Sequence, residues 1–333
     1  MPFRRRCRLL TTRAPTSEWF GALPPRAPLP LHRQGHQLIG QSGRLGAVVD
    51  VGDLRNLNAA GAAVIKDAVR AHGVVVCKSQ NLERAEQVAV TDKLGETIVL
   101  PKSFEGNDPE PKHPAIQRIT NFWADGRWKG PEWFAGAYWH QDGQFWKPPL
   151  HNILSLLYGH RTPPSGGETG FVDLRAARAS LPSALAGRAA NASVRASVWQ
   201  IGDFANGDPS DLAAFPDVTH PMLDTHLLDD GPILYVGSKH MGVEAHGETD
   251  EGGKELLRAL LDHATTTPSF QYFHPWEAGD LLIWDNTQVL HHSMPYENNG
   301  VNVREYYRTQ ARMVWKAEVE RGKPRRTSHQ RLA

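Results

Sequence analysis

The segment Tyr138-Trp139-His140-Gln141-Asp142-Gly143 sets an imidazole and a carboxylate two residues apart. On a strand, residues i and i+2 face the same side, so the pair can offer a nitrogen and an oxygen to one metal ion. A further imidazole would complete a 2-His-1-carboxylate set, which leaves coordination positions open and suits non-haem Fe(II). Alone the triplet says little. The chain has 16 His, and the plain alternative is a solvated strand face. A candidate for the missing ligand lies in Gly279-Asp280-Leu281-Leu282-Ile283-Trp284-Asp285-Asn286-Thr287-Gln288-Val289-Leu290-His291-His292. Leu281 to Trp284 reads as a buried strand opened by a Gly-Asp turn, and Val289-Leu290-His291 as a second, short strand. Adjacent strand residues face opposite sides. Only one of His291 and His292 can reach the metal, and both could equally be surface histidines.

Other segments extend the pattern. Leu45-Gly46-Ala47-Val48-Val49-Asp50-Val51 and His72-Gly73-Val74-Val75-Val76-Cys77-Lys78 read as strands, and Leu94-Gly95-Glu96 ends a helix. Pro163-Pro164-Ser165-Gly166-Gly167-Glu168-Thr169 is a turn, and His220-Pro221 is followed by Thr225-His226 and Leu234-Tyr235-Val236. With Trp139-His140-Gln141-Asp142 and Trp284-Asp285-Asn286, in this order from about Leu45 to Met313, they resemble the taurine dioxygenase (TauD/TfdA-like) family of Fe(II)/2-oxoglutarate oxygenases.

The resemblance implies His140, Asp142 and His291 as the catalytic iron ligands. His291 is preferred because it stands seven residues after Trp284, where the family's distal His lies. It implies Fe(II), 2-oxoglutarate and O2, with release of succinate and CO2. The co-substrate's distal carboxylate would be held by an Arg after the distal His. The match in Arg304-Glu305-Tyr306-Tyr307-Arg308 puts that anchor at Arg308, with Arg304 at the family's preceding Arg. A guanidinium fork, always charged, suits a buried carboxylate. Thr169 matches a Thr whose hydroxyl helps to hold the co-substrate. Halogenases of the wider superfamily have Ala or Gly where Asp142 stands, so the carboxylate favours hydroxylation of an unactivated C–H. Desaturation and oxidative cyclisation by the same site are the alternatives, with a non-catalytic 2-oxoglutarate binder and a three-His cupin-type oxygenase as other classes.

Taurine itself is disfavoured. The taurine enzyme's sulfonate-reading His has no counterpart in Thr97-Ile98-Val99-Leu100-Pro101, and Gly136 stands four residues before His140. Asn121, Trp123, Phe134 and Gln144 are candidate substrate readers, in a region also carrying Trp128, Trp133, Tyr138, Trp139 and Trp146. For each aromatic, packing is the commoner role. The expected substrate is a small amino-acid-like molecule or a secondary metabolite.

The expected fold is α+β, mostly β: short strands separated by Gly, Pro and Asn turns form a double-stranded β-helix (jelly roll) with flanking helices. Helices are expected over Ala59 to Ala71, Leu82 to Leu94 with Asn81 as cap, Leu174 to Ala190 and Gly252 to Ala264. Lys102 to Tyr138 reads as a long loop, a candidate lid over the site. Residues 45-318 are read as the oxygenase domain, 319-333 as a basic tail. Residues 1-44, with eight Arg, one acid and many Pro, form an extension. That composition suits an organelle transit peptide, a bacterial leader arm or a surface extension; the alternatives are a cytoplasmic and an organelle-targeted protein. A net charge of +1 gives no push toward nucleic acid, and no 20-residue apolar run suggests a membrane span. Cys7 and Cys77 are too few for a disulfide scaffold, which fits a reducing compartment. The expected partner is a small-molecule substrate, with homo-oligomerisation left open.

Overall fold

The computed structural model describes residues 36–38 and 44–313, apart from 101–108, 111, 133–134, 199–212 and 214. Most of residues 1–44, Trp133, Phe134 and the tail 319–333 therefore lie outside the described residues.

The chain opens with β1 (His36–Leu38), antiparallel to β2 (Ala47–Val49). β2 runs parallel to β3 (Val74–Cys77), the two being joined by helix α1 (Ala59–His72). α1 begins where the Asn58 side chain accepts the Gly61 amide at 2.9 Å, and buries Ala62, Ile65, Ala68, Val69 and His72, a helical stripe. It ends at Gly73, whose φ of +69° disfavours other residues. α2 (Arg84–Leu94) is capped by Glu83 through a capping box with Glu86, and Asn81 is not its cap.

β4 (Glu96–Thr97) and β5 (Pro109–Glu110) are short; β6 (His113–Thr120) is a full strand inside the segment expected to be one long loop. β7 (Ile153–Arg161) and β8 (Thr169–Asp173) follow the site segment. The helix expected over Leu174 to Ala190 is two, α3 (Leu174–Ala179) and α4 (Ser183–Ala189), since Pro182 cannot donate within a helix and unfavourably restricts the residue before it. Next come β9 (Ala192–Ala196), β10 (Val218–Pro221), β11 (Leu223–Thr225), β12 (Pro232–Leu234), β13 (Gly242–Ala245) and α5 (Asp250–Thr265). The chain closes with β14 (Gln271–His274), β15 (Leu281–Asp285), β16 (Val289–Ser293) and β17 (Glu305–Arg312).

A nine-stranded sheet has the order β1-β2-β3-β15-β7-β17-β6-β5, with β4 also on β17. A smaller sheet has the order β14-β8-β16. Alternation along β15 shows how the layers form. Leu281 and Ile283 join a core with Ile65, Val69, Val90 and Leu94 of the helices. Leu282 and Trp284 face the other way, onto Phe171 and Tyr272 of the smaller sheet. A third core lies behind that sheet, where Val172 and Leu290 meet Leu256, Leu257 and Leu260 of α5. The result is mixed α+β and mostly β, with two sheets face to face between helices. The cavity that holds the metal-ligand candidates is lined from both sheets, by Leu157 and Trp284 of the larger and by Thr169 and His291 of the smaller.

Candidate active site

His140 forms a single antiparallel rung with β16: its amide donates to the His291 carbonyl at 3.0 Å, and the His291 amide donates back at 2.9 Å. Asp142 lies in the turn beyond, so the His-x-Asp segment is one bridging residue and a turn, not the expected strand. The side chains nevertheless converge. One ligand atom from each of His140, Asp142 and His291 lies within 4.8 Å of the others. His140 Nε2 is 3.8 Å from Asp142 Oδ1, and His291 Nε2 is 3.7 Å from Asp142 Oδ2. His140 Nδ1 is 2.8 Å from the Tyr138 carbonyl, which fixes the proton there and leaves Nε2 with its lone pair toward the carboxylate. Strand alternation separates the two neighbouring histidines. His291 faces Trp284, with ring centroids 4.9 Å apart, whereas His292 turns outward against Trp139 at 5.2 Å.

The electrostatics fit a cation. Burial opposes ionisation of Asp142, but the Arg308 guanidinium, helped by the Ser155 hydroxyl, outweighs it and holds the carboxyl well below the usual range. Burial keeps His291 neutral and able to act as a donor. Two imidazole nitrogens and one ionised oxygen within reach of one point form a set suited to ferrous ion.

The surrounding cavity is about 100 Å³. Its apolar wall includes Leu100, Ile119, Phe145, Leu157 and Trp284. Arg308 lies on β17, four residues from Arg304, and both reach the cavity. Their partners differ. Arg308 Nη1 donates to both Asp142 oxygens, at 3.0 and 3.1 Å, and its Nε and Nη2 hold Gln117 Oε1 at 2.8 and 2.6 Å. Arg304 is 3 % exposed, and its Nε has no hydrogen-bond partner. Thr169 starts β8 after the turn carrying Gly166 and Gly167, both with positive φ; its Oγ1 accepts from Trp276 Nε1 at 3.0 Å, leaving its own proton to donate.

The substrate candidates scatter. Gln144 lines the cavity and is buried with Oε1 unpartnered. Asn121 does not line it. Its Nδ2 donates to Asn298 Oδ1 and the Asn302 carbonyl, and its Oδ1 accepts the Arg304 amide, so it pins the loop leading into β17. Trp123 is 48 % exposed, with Lys129 Nζ 4.9 Å from its ring, and is also outside the cavity lining. Phe134 lies outside the described residues. Ser155, Gln310 and Asn286 surround Asp142, and sequence reading gave them no role. Signals exist for two of them: Ser155 is a hydroxyl alone in the apolar run Ile153 to Leu157, and Gln310 shares a strand face with Arg308.

The sequence profile described as "Taurine catabolism dioxygenase TauD, TfdA family" matches residues 28–310. The chain belongs to this family. It is an Fe(II)/2-oxoglutarate-dependent dioxygenase, and His140, Asp142 and His291 are its candidate metal site. It is 32% identical over 266 residues to the alpha-ketoglutarate-dependent 2,4-dichlorophenoxyacetate dioxygenase of Burkholderia sp. (strain RASC), covering 74% of this chain and 86% of the relative. The (S)-phenoxypropionate/alpha-ketoglutarate-dioxygenase of Delftia acidovorans is 26% identical over 281 residues, or 78% of this chain and 90% of the relative. Among solved structures, AAD-2 in complex with Mn(II) and N-oxalylglycine superposes with a TM-score of 0.67 at 25% identity, over 82% of this chain and 97% of that one. A taurine dioxygenase from Burkholderia xenovorans gives 0.66 at 25% identity, over 84% and 89%.

Proposed function

We propose that this TauD/TfdA-family enzyme hydroxylates a small organic acid with an apolar body, and that two arginines divide the two carboxylates. Arg304 anchors the distal carboxylate of 2-oxoglutarate, the role that the sequence match gave to Arg308. Arg308 receives the acid group of the substrate. The observation that carries this is the contrast in one cavity between a buried guanidinium with an unpartnered Nε and a guanidinium already at the ligand carboxylate. A buried cation without an acid is costly, so the site calls for an anion at Arg304. Thr169 adds a hydroxyl donor beside it. Relatives that act on phenoxyacetates and phenoxypropionates support an aryloxy acid over the amino-acid-like substrate first expected.

When bound, Fe(II) supplies activation of O2 coupled to oxidative decarboxylation of 2-oxoglutarate. The protein's part is positional. His140, Asp142 and His291 would hold the ion. Arg308 draws the substrate's acid end toward Asp142, and the wall of Leu100, Phe145 and Trp284 receives its apolar body and excludes water. Gln144, whose buried Oε1 is unpartnered, is available to read a second substrate group. The reading includes the two facing sheets as the halves of a jelly-roll barrel, residues 45-318 as the domain that holds it, and a reducing, cytoplasmic setting, which suits the buried free thiol of Cys77.

The test is succinate formation by anaerobically loaded Fe(II) protein given 2-oxoglutarate and then air. Aryloxyacetic acids should accelerate it at least tenfold, and their methyl esters should not. Equal acceleration by ester and acid, or acceleration by taurine alone, would overturn the acid-reading role of Arg308.

A further inference from the structure

The oxygens of Asp142 are treated unequally. Oδ2 accepts the Ser155 hydroxyl at 2.8 Å and Gln310 Nε2 at 3.1 Å. Oδ1 has neither contact, and Arg308 Nη1 spans both oxygens without choosing between them. Ser155 is itself constrained. Its oxygen accepts Asn286 Nδ2 at 2.9 Å and Gln310 Nε2 at 3.1 Å. A hydroxyl has two lone pairs and one proton. With both lone pairs taken, the proton has one direction left, onto Asp142 Oδ2. The path also closes on the backbone: the Asp142 amide donates to Asn286 Oδ1 at 3.1 Å, and Trp284 Nε1 fixes that amide group at 2.8 Å. Ser155, Asn286 and Gln310 are buried, so water does not compete.

We propose that Ser155 is a positioning residue that makes Asp142 a one-oxygen ligand, engaging Oδ2 so that Oδ1 is presented to the metal. This rests on the family's metal chemistry and on nothing about the organic substrate. Without the hydroxyl, the carboxylate can rotate and chelate through both oxygens, taking a coordination position that the co-substrate or O2 needs.

The experiment is anaerobic titration of the full-length, metal-free protein with Co(II), without 2-oxoglutarate or substrate. It reads both affinity and the visible absorption of the bound ion, which reports coordination number. Ser155→Ala should weaken binding by roughly 10- to 100-fold, the usual effect of losing such an outer partner, and should change the spectrum. Gln310→Met removes one donor from Ser155 and one from Oδ2 at the cavity wall. It should move both readouts the same way by a smaller factor, and it carries the test if Ser155→Ala does not fold. Affinity and spectrum as in the parent would overturn the proposal. Weakened affinity with an unchanged spectrum would also overturn it, because general loosening does not change the number of oxygens bound. Failure of the parent to bind Co(II) would remove the metal reading itself, whereas failure of the aryloxy acids in turnover would leave this result standing.

Discussion

At the residue scale, alternation settles some questions and is silent on others. His291 and His292 differ by one position, so strand geometry alone puts them on opposite faces and only one toward the metal. Arg304 and Arg308 differ by four, which gives them the same face on an extended chain. No pattern in the sequence separates them, and only their partners do. Arg308 is already bonded to Asp142 and Gln117, whereas the Arg304 Nε is unpartnered. Arg304→Ala should therefore weaken 2-oxoglutarate binding to the Mn(II)-loaded protein by about a hundredfold, near the 3 kcal/mol low end for breaking a buried ion pair. Arg308→Ala should leave that affinity within about threefold and raise the KM for the organic acid instead. Calorimetric titration of both variants checks this, and the reverse order would restore Arg308 as the anchor. Asn121 looked like a reader because it is polar and precedes the metal motif; its amide is spent on the loop around Asn298 and Asn302.

At the element scale, the apolar runs that form β3 and β15 are legible in the sequence because each is bounded by turn residues. The boundaries that failed have local causes. Pro182 divides a stretch that is helical on both sides, and the Glu83–Glu86 capping box supersedes a simpler cap at Asn81. β6 was hidden because its outward residues are polar and its partner, β17, lies almost two hundred residues away. The turn before β8 carries a sharper expectation. Gly166 has φ +70°, and a Cβ there would lie 2.8 Å from the Pro295 carbonyl oxygen. Gly166→Ala should cost about 2 kcal/mol or more, because left-handed strain and a backbone clash combine. It should also raise the KM for 2-oxoglutarate by displacing Thr169. Gly187 is its counterpart: exposed in α4, with nothing within 4 Å of an added Cβ. Gly187→Ala should stabilise by about 0.5–1 kcal/mol. Urea unfolding of the two variants should move in opposite directions.

At the scale of the whole molecule, stability should depend on pH through buried histidines that are not metal-ligand candidates. Burial pushes His151 down to about 3 and His220 down to about 4, with ring centroids 4.7 Å apart. Below about pH 6.5 the unfolded chain takes up protons that these folded rings refuse. Stability should then fall with pH, by up to about 1.4 kcal/mol per unit for each ring, from 6.5 down to about 4. The buried pair of His226 and Asp285 acts otherwise. His226 is raised by Asp285 against the cost of burial, so its contribution is complete below its ordinary value and is lost as pH rises through the raised one. Asp285 is held down to about 2, against burial, by His226, so its contribution fades only as pH falls below about 3.8. Thermal unfolding of the metal-free protein from pH 7 to 4.5 should show the acid loss, and His220→Asn should remove one proton from the slope. The substrate was the least legible feature at any scale, because the wall of the cavity is drawn from segments distant in sequence. One local feature has a reach beyond its size. The paired backbone bonds between His140 and His291 tie the two imidazole ligands to each other directly. Two of the three candidate ligands are thus held together by the fold itself, so little ordering should oppose ion capture. Binding of the ion should accordingly be fast and bring only a small heat-capacity change, as expected of ligands that the backbone pairing orders in advance.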